Sequence, residues 1–481
     1  MIDINNFIAG KQHSGYSPRY SLATTFFEQQ YTLPNSSSVE IGLALSTART
    51  AIPQANALKF SQRKNILAQA SANLTVNPEH EQFIVAATGM PLKHVRQRLD
   101  LGRYLFTVLP DICAQRYGLH NGQYMRAIHH GHKKGYELRI PRDGPISAFL
   151  PPNDPAEPFF VFAHAVLAGQ AIIVKPSQQE PLTSVVVADA LTTAGYPPGA
   201  LSVVHWNTSD ATRAPLAHTL CDETTIRVLM GSSSTAQSLL SHNGEVVQHG
   251  TTVQYCAGHT AAVVLPDADI PSTAAHLAHS AYNWTIDCVS TKTVIVVGKD
   301  AKQQLIDELK KIIATKKTGD PRKEETDIGN VPKEGLDALH ALLHGQQTFG
   351  AITHHAPYTI TTPQQVTPIL CEASSLQCPL FSQEPPYLLA LYACANEEDV
   401  PKILDTLRQE LPVKKRMGIG LYTQRKVEEL LPILERCHAH LVFHNTPTID
   451  LNFALNHQDV FLADEFLAPV SISTNFLSSR S

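Results

Sequence analysis

Within the first 141 residues, apolar positions recur first with the period of a helix and then with the period of a strand. Between residues 39 and 74 the apolar residues recur at helical spacing, which predicts a pair of amphipathic helices. Further helices are predicted over residues 79–87 and 91–110. Residues 117–141 then alternate polar and apolar positions around glycine and asparagine, which is typical of an extended hairpin. This part of the chain is therefore predicted to be a helical layer followed by a β-hairpin.

Residues 146–230 contain the most regular pattern, in which short apolar runs and helical segments alternate. Strands are predicted at residues 146–150, 171–174, 201–205 and 226–230, with helices over 159–167 and 183–194. This alternation predicts βαβ units and a parallel, doubly wound sheet, whose ligands bind at the carboxyl ends of its strands. Polar residues follow three of these strands: Asn153, Lys175 to Gln178, and Gly231 to Thr235. The sequence therefore predicts a ligand site at this edge of the sheet.

Each of these polar groups has a functional and a structural interpretation. After Gly231, backbone N–H groups and the Ser232 hydroxyl could hold a phosphate at a helix N-terminus, but Ser232 would serve equally as a helix N-cap. Lys175 either brings a cation to a nucleotide or is a solvated surface lysine. Asn153, in a turn rigidified by prolines, is either an amide donor or part of an Asx-turn. The sequence has no G-x-G-x-x-G after a strand, so the usual dinucleotide fingerprint is absent.

One cysteine, Cys288, lies between a predicted helix and a β-branched run at residues 294–297. A thiol whose backbone is fixed on both sides can be presented to a cleft reproducibly, which suits a nucleophile. The alternative is an inert buried thiol, since free cysteine is among the most buried residue types. After Cys288, strands are predicted at 293–297, 418–422 and 441–444, with helices at 302–314, 336–343, 398–410 and 424–437. These elements predict a second α/β unit.

Composition excludes several classes of protein. A chain of 481 residues with 43% hydrophobic and 17% charged residues is predicted to be globular, with two or three domains. A net charge of −5 without a basic block argues against nucleic acid as a partner. The longest apolar run, residues 159–174, is interrupted and too short to span a bilayer, so no membrane partner is expected. Eight cysteines without C-x-x-C spacing predict neither a zinc site nor disulfides, and no metal is expected. Because residues 1–12 do not read as a secretory signal, we expect reduced thiols and a cytoplasmic location.

Six segments resemble the aldehyde dehydrogenase superfamily in their order and spacing. They are FIAGK (7–11), SVEIGLALSTARTA (38–51), GPISAFLPPNDP (144–155), AVLAGQAIIVKPS (165–177), MGSSSTA (230–236) and AAVVLPDADI (261–270). The resemblance implies an α/β fold with two doubly wound, Rossmann-like domains, a small β oligomerisation element, and NAD or NADP as cofactor. It also implies roles for individual residues: Cys288 as the nucleophile, Asn153 as a donor to the oxyanion, Lys175 as the contact to the adenosine ribose, and Gly231 with Ser232 as the turn near the pyrophosphate.

The sequence departs from the family at the position of the base. Tyr255 stands where hydrolytic members carry the glutamate that activates water, and His259, four residues on, is the nearby candidate to replace it. Pro152 replaces the family's tryptophan beside Asn153. The E-x-F-G-P segment becomes QEPPY, which leaves Glu384 as the candidate contact to the nicotinamide ribose.

A further departure concerns the choice of cofactor. Family members that select the unphosphorylated cofactor often carry glutamate directly after K-P-S, and this chain has Gln178 there. A neutral amide does not repel a 2′-phosphate, and Lys175 and Ser177 are placed to contact one. We therefore expect NADP to be tolerated and even preferred.

The expected function is NAD(P)-dependent oxidation of a small-molecule aldehyde through a thiohemiacetal and a thioester on Cys288. The segment CAGHTAAVVL resembles the coenzyme A-acylating branch of the family, and a thiol acceptor needs no base to activate water. Coenzyme A is therefore the expected co-substrate. Three alternatives stay open: a hydrolytic enzyme with a displaced base, a non-catalytic relative, and a phosphate-dependent acyl reductase.

The resemblance also divides the chain into domains. A dinucleotide-binding domain is expected from residues 1–120 and 142–256, and a catalytic domain from 257–460. Residues 121–141 and 461–481 are expected to form the oligomerisation hairpin and C-terminal strand. An exposed apolar edge strand on a monomer would promote aggregation, so a homodimer or homotetramer is expected.

Overall fold

The computed structural model describes residues 2–74, 77–130, 133–242, 245–246, 249–256, 259–283, 289–344, 352–410 and 417–474. Its helices, in chain order, are α1 (Ser38–Ala57), α2 (Phe60–Asn73), α3 (Pro78–Thr88), α4 (Leu92–Tyr117), α5 (Glu157–Ala168), α6 (Leu182–Thr193), α7 (Ala214–Glu223), α8 (Ser233–Leu240), α9 (Ile270–Tyr282), α10 (Lys299–Ile313), α11 (Lys333–His344), α12 (Val400–Glu410), α13 (Leu431–Leu434) and α14 (Leu462–Phe466).

The strands up to residue 256 are β1 (Ile2–Asp3), β2 (Asn6–Ile8), β3 (Lys11–His13), β4 (Arg19–Ala23), β5 (Gln30–Pro34), β6 (Leu119–His120), β7 (Gln123–His130), β8 (Lys133–Pro141), β9 (Ile146–Phe149), β10 (Ile172–Lys175), β11 (Leu201–Val203), β12 (Ile226–Gly231), β13 (Ser241–His242), β14 (Glu245–Val246) and β15 (Thr251–Cys256). Those that follow are β16 (Thr260–Val264), β17 (Thr291–Val297), β18 (Ile352–His354), β19 (Ile360–Thr362), β20 (Gln365–Val366), β21 (Ile369–Ala373), β22 (Leu388–Cys394), β23 (Met417–Tyr422), β24 (Ala439–His444) and β25 (Leu467–Thr474).

Two seven-stranded sheets dominate the fold. The first has the order β15-β12-β9-β10-β11-β2-β3, and its strands from β15 to β11 are parallel. The second has the order β18-β21-β22-β17-β16-β23-β24, and its strands from β21 to β24 are parallel. Strands β10 and β17 are buried along their whole length, which explains the apolar runs at residues 172–174 and 294–297 within them. The predicted α/β class with two doubly wound sheets is confirmed.

Each sheet has its own hydrophobic core. The first core draws its residues from positions 4–256 and from 461–467, whereas the second lies within positions 261–437. Helices α1 and α6 contact strands of the first sheet, and α2 and α4 pack against α5 as a further layer. Helix α14 returns the chain to the first core by packing against α5. The division into named domains stays a prediction.

A four-stranded antiparallel sheet, in the order β25-β8-β7-β6, stands beside the two large sheets. Strands β7 and β8 form the predicted hairpin, and β25 pairs with β8 along its full length, from Leu467 opposite Pro141 to Thr474 opposite Lys134. The predicted pairing of the C-terminal strand with the hairpin is therefore present within one chain.

Local sequence signals account for the helix ends that matter to the site. Helix α1 begins with a capping box, because the Ser37 Oγ accepts from the Val39 N–H at 3.2 Å while the Glu40 carboxylate accepts from the Ser37 N–H at 2.8 Å. Helix α5 ends at Gly169, whose φ of 72° lies in the left-handed region that glycine favours.

Two predicted helices differ from the structure. The helix predicted over residues 424–437 is wrong: a 3-10 turn at Val427–Leu430 leads into the single turn of α13. Pro432 in this segment lacks an N–H donor, which limits helix growth through it. Conversely, α4 continues past its predicted end through Pro110 to Tyr117. Burial of Phe106, Leu109 and Cys113 offsets the roughly 3 kcal/mol that an interior proline costs.

Among the helices of the described residues, none combines the length and the apolar character needed to cross a bilayer. The cytoplasmic location stays a prediction.

Candidate functional site

Three of the sequence-predicted site positions lie at one edge of the first sheet. Strands β12, β9 and β10 are adjacent and parallel, so their carboxyl ends meet at this edge. Strand β9 leads to Asn153, β10 ends at Lys175, and β12 ends at Gly231. A Cβ at Gly231 would lie 3.7 Å from the Pro151 Cβ, which shows how closely the loops after β12 and β9 approach. The structure therefore brings Asn153, Lys175 and Gly231 to a shared edge.

Lys175 is buried rather than solvated, with 7% of its surface exposed. Its Nζ donates to the Pro176 carbonyl at 3.0 Å and lies 5.2 Å from the centre of the Trp206 ring. Burial lowers the pKa of this amine to about 8. Burial, together with the Lys175 charge, lowers the pKa of the neighbouring His205 to about 3, so that histidine is neutral at physiological pH. The solvated-surface interpretation of Lys175 is wrong, and Trp206 is a neighbour that the sequence pattern did not identify.

Ser177 and Gln178 lie in the loop after β10. The Ser177 Oγ accepts from the Gln179 N–H at 3.2 Å, and the Gln178 Oε1 accepts from the Thr208 N–H at 3.3 Å. The Gln178 carbonyl accepts from the Tyr31 hydroxyl at 2.6 Å. These bonds fix the loop at the carboxyl end of β10, with a neutral amide where the family often has a carboxylate.

The turn after β12 combines a strained backbone with a helix start. Gly231 has a φ of 130°, which other residues rarely adopt, and the Ser232 Oγ caps α8 by accepting from the Thr235 N–H at 3.1 Å. The N-cap interpretation of Ser232 is therefore observed, and its phosphate role stays a prediction. The Ser233 Oγ, in the first turn of α8, is buried without a hydrogen-bond partner among the described residues. An unsatisfied hydroxyl beside helix N–H groups fits an anion such as a pyrophosphate.

Cys288 lies outside the described residues, and so do residues 284–287. The chain on both sides of this segment is held by Thr448, which is fully buried. The Thr448 N–H donates to the Ser280 Oγ at 2.9 Å, and its hydroxyl donates to the Val289 carbonyl at 2.5 Å and bonds the Thr291 hydroxyl at 2.9 Å. Thr448 thus ties the end of α9 to the start of β17. Sequence reasoning missed this residue, because its partners are distant in the chain.

Tyr255, at the family's base position, is half-buried among aromatic rings. Its ring stacks on His457 at 5.7 Å between centroids and meets Phe160 edge-on at 6.2 Å. Burial raises the pKa of its hydroxyl further above its usual range, so it remains protonated at neutral pH. His259 is also buried, its Nε2 lies 3.0 Å from the Thr293 Oγ1, and burial lowers its pKa to about 4.

Glu384 is exposed, in the loop between the 3-10 turn Pro379–Phe381 and β22. Its contact with a nicotinamide ribose stays a prediction. Asn153 is half-buried in the loop between β9 and α5, and its role as an oxyanion donor likewise stays a prediction.

Two cavities open between α4 and the loop of residues 449–461. The Tyr255 cavity has a volume of about 120 Å³ and is lined largely by apolar residues, including Leu101, Leu105, Phe160, Phe453 and Phe461. The His279 cavity has a volume of about 540 Å³ and includes Asn283, the last described residue before the segment of Cys288. The two cavities share Arg98, Leu101, Leu451, Asn452 and Phe453. They therefore form one cleft that reaches both the base position and the flank of the predicted nucleophile.

Sequence reasoning also missed an ion pair in this cleft. The Arg98 Nε donates to the Asp154 Oδ1 at 3.0 Å, and its Nη2 donates to Oδ2. Asp154 directly follows Asn153 and also accepts from the Ala156 N–H at 2.8 Å. The two side chains come from segments far apart in the chain, so no local pattern pairs them.

Comparison with known proteins finds relatives whose sequences match only part of this chain. The chain is 26% identical over 291 residues to the acylating, mitochondrial methylmalonate-semialdehyde dehydrogenase of Arabidopsis thaliana, a match covering 59% of this chain and 46% of that protein. It is 29% identical over 194 residues to malonate-semialdehyde dehydrogenase of Halalkalibacterium halodurans, covering 40% of this chain and 38% of that protein. The matched part thus spans less than half the length of either relative.

The fold itself matches over nearly the whole chain. The crystal structure of an NAD-dependent aldehyde dehydrogenase from Sinorhizobium meliloti superimposes with a TM-score of 0.83 at 16% identity, covering 98% of this chain and 94% of that one. The sequence model of the aldehyde dehydrogenase family matches residues 26–351, which is more than half of the chain. The chain therefore belongs to the aldehyde dehydrogenase family.

Proposed function

We propose that the protein oxidises an aldehyde with NAD or NADP through a thioester on Cys288, and that coenzyme A takes up the acyl group. The observation that carries the choice of acceptor is the aromatic cluster at the base position. Tyr255 stays protonated there because burial raises its pKa, and His259, with its pKa lowered to about 4, is a weak base at neutral pH. A general base is most effective when its pKa lies near the working pH, so neither group is matched to activating water.

The cofactor would lie at the carboxyl edge of the first sheet. Gly231, Ser232 and the unsatisfied Ser233 hydroxyl fit a pyrophosphate at the start of α8, and Lys175 stands at the end of β10, two strands away in the same sheet. When bound, the nicotinamide accepts a hydride from the substrate carbon. The remaining chemistry belongs to side chains and backbone groups of this chain.

The covalent steps balance without a metal ion. The Cys288 thiolate adds to the aldehyde carbon and gives a thiohemiacetal alkoxide, which the Asn153 amide and the Cys288 N–H stabilise. Loss of hydride from that carbon leaves a thioester on Cys288. The thiolate of coenzyme A then attacks the acyl carbon, and the Cys288 thiolate leaves. Each oxyanion donor contributes about 3 to 4 kcal/mol in comparable enzymes, so Asn153→Ala should be severely but not completely impaired.

Two further features support this proposal. The Arabidopsis relative carries the word acylating in its name, which is the chemistry proposed here. Gln178 presents a neutral amide after K-P-S, so a 2′-phosphate meets no carboxylate from that position and NADP is accepted as well as NAD.

We also propose that the protein forms a homodimer or homotetramer through the sheet of β6, β7, β8 and β25. Ile128, Ile140, Val470 and Ile472 in this sheet each expose more than a third of their surface. A second copy that covers these side chains would remove an exposed apolar surface from water.

The direct test is formation of reduced cofactor over a panel of aldehydes, with NAD and NADP, in the presence and absence of coenzyme A. We expect turnover that requires coenzyme A and acyl-coenzyme A as the product by mass spectrometry. Cys288→Ala should abolish it. Rapid turnover to the free acid without coenzyme A would contradict the proposal that coenzyme A is the acyl acceptor. The absence of turnover under every condition would contradict the proposal that the protein oxidises aldehydes.

A further inference from the structure

We propose that the cleft disfavours aldehydes that end in a carboxylate and accepts those that end in a branched chain or a single ring, and that Asp154 sets this selectivity by balancing the charge of Arg98. The inference rests on the proposed aldehyde oxidation and names the substrate class of the same site. It separates this chain from the malonate and methylmalonate semialdehyde dehydrogenases that it matches, because those substrates end in a carboxylate.

The charges of the cleft disfavour a second carboxylate. Among the described residues that line the two cavities, Arg98 is the one lysine or arginine, whereas Asp154, Glu157 and Asp450 are acidic. A substrate carboxylate would enter a lining with three acidic side chains and a single guanidinium. Like charges repel, most strongly near the buried Asp154, so the lining favours an uncharged group over an anionic one.

Arg98 already pairs with Asp154. The Arg98 guanidinium donates to both oxygens of Asp154, which is the geometry of a strong bidentate pair, and Asp154 is only 7% exposed. A substrate carboxylate would meet a guanidinium whose charge Asp154 already balances, so it would gain little attraction from Arg98.

The shape and surface of the Tyr255 cavity define what does fit. Apolar side chains, chiefly leucine and phenylalanine, form most of its wall, and the Phe160 and Phe453 rings lie 6.4 Å apart between centroids. Its volume of about 120 Å³ is close to that of an engineered apolar cavity of about 150 Å³ in another protein that binds benzene. A single ring or a short branched chain therefore fits this cavity.

A matched pair of aldehydes isolates the charge. Succinic semialdehyde and 4-methylpentanal have the same chain length and nearly the same shape, but the first ends in a carboxylate and the second in an isopropyl group. We expect the wild-type protein to prefer 4-methylpentanal by at least tenfold in kcat/KM. Asp154→Asn keeps an oxygen for the N–H groups of Ala156 and of the Arg98 Nε but removes the carboxylate charge that balances Arg98, and should shift the ratio towards succinic semialdehyde by at least tenfold.

The ratio of the two substrates cancels any general loss of activity in a variant. Asp100→Asn is the matched control. Asp100 pairs with Arg103 on the exposed side of α4, the helix that also carries Arg98, so this variant should leave the ratio unchanged. Asp154→Ser removes the same carboxylate with a smaller side chain and serves as the second variant if Asp154→Asn does not fold.

Two results would overturn the inference: a wild-type preference for succinic semialdehyde, or an unchanged ratio in a folded Asp154 variant. Absence of turnover with every aldehyde would count against the proposed function instead. In that case, calorimetric binding of the unreactive alcohols 4-methylpentan-1-ol and 4-hydroxybutanoate to the wild type and Asp154→Asn decides the inference. Tighter binding of 4-methylpentan-1-ol than of 4-hydroxybutanoate to the wild type, with a preference at least tenfold smaller in Asp154→Asn, would support the inference. A preference of the wild type for 4-hydroxybutanoate, or an unchanged ratio in the variant, would overturn it.

Discussion

Replacing Lys175 by methionine should make the protein more stable at pH 7, although it removes a predicted cofactor contact. Lys175 is buried against the Trp206 ring, and its described partners are that ring and the Pro176 carbonyl. Because a tenfold change in an equilibrium corresponds to about 1.4 kcal/mol, a pKa lowered from 10.5 to about 8 means that folding with the charged amine costs about 3 kcal/mol. Methionine leaves the Pro176 carbonyl without its donor, which costs about 1 kcal/mol, so the net gain is about 2 kcal/mol.

The dependence on pH identifies the charge as the cause. Below pH 8 the lysine is protonated in both the folded and the unfolded state, so the full penalty is present. Between pH 8 and 10.5 the unfolded state binds more protons, and the stability of the wild type therefore rises with pH through this window. At pH 10 the penalty should have fallen below about 1 kcal/mol. The advantage of Lys175→Met should therefore have disappeared by pH 10.

Urea unfolding of the wild type and Lys175→Met at pH 7 and pH 10, followed by tryptophan fluorescence and circular dichroism, measures both quantities. A variant that is less stable than the wild type at pH 7 would refute the reasoning. A stability difference that is the same at both pH values would also refute it, because packing alone would then explain the change.

Three other predictions follow from the same site. Tyr255→Glu should raise turnover without coenzyme A by at least about tenfold, because a carboxylate in this half-buried position supplies a base; product analysis should then show free acid. Gln178→Glu should weaken binding of NADP relative to NAD by about tenfold, or about 1.4 kcal/mol, measured by titration of both cofactors. Substoichiometric iodoacetamide should label Cys288, since burial raises the pKa of five of the seven described thiols; peptide mapping that found the label mainly on Cys256 or Cys437 would contradict this.

The sequence predicts elements best where burial alone decides their structure. Apart from one lysine in each, strands β10 and β17 consist of β-branched residues, and they lie in the centre of largely parallel sheets where both faces are covered. Helix α4 was predicted too short, because its continuation through Pro110 depends on packing that the local pattern does not encode. The failed helix at residues 424–437 shows the opposite case, in which an apparently helical pattern gives only short turns.

The features of the site likewise divide into those that the sequence predicts and those that it does not. Asn153, Lys175 and Gly231 were predicted to share an edge because the ends of parallel strands must meet there, and the structure places them so. Thr448 and the pair of Arg98 with Asp154 could not be predicted, since each depends on contacts between segments far apart in the chain. In the sequence alone, nothing distinguishes Thr448 from any other buried threonine, or Arg98 and Asp154 from any other pair of charged residues.

The most direct test of the account is a rapid-mixing experiment that follows reduced cofactor with a neutral aldehyde such as 4-methylpentanal. If Cys288 forms a thioester that the residues at the base position cannot hydrolyse, the trace should show a burst of about one reduced cofactor per active site, followed by a slow phase. Coenzyme A should accelerate the slow phase, and Cys288→Ala should remove the burst. Fast steady turnover without a burst and without any response to coenzyme A would contradict the account.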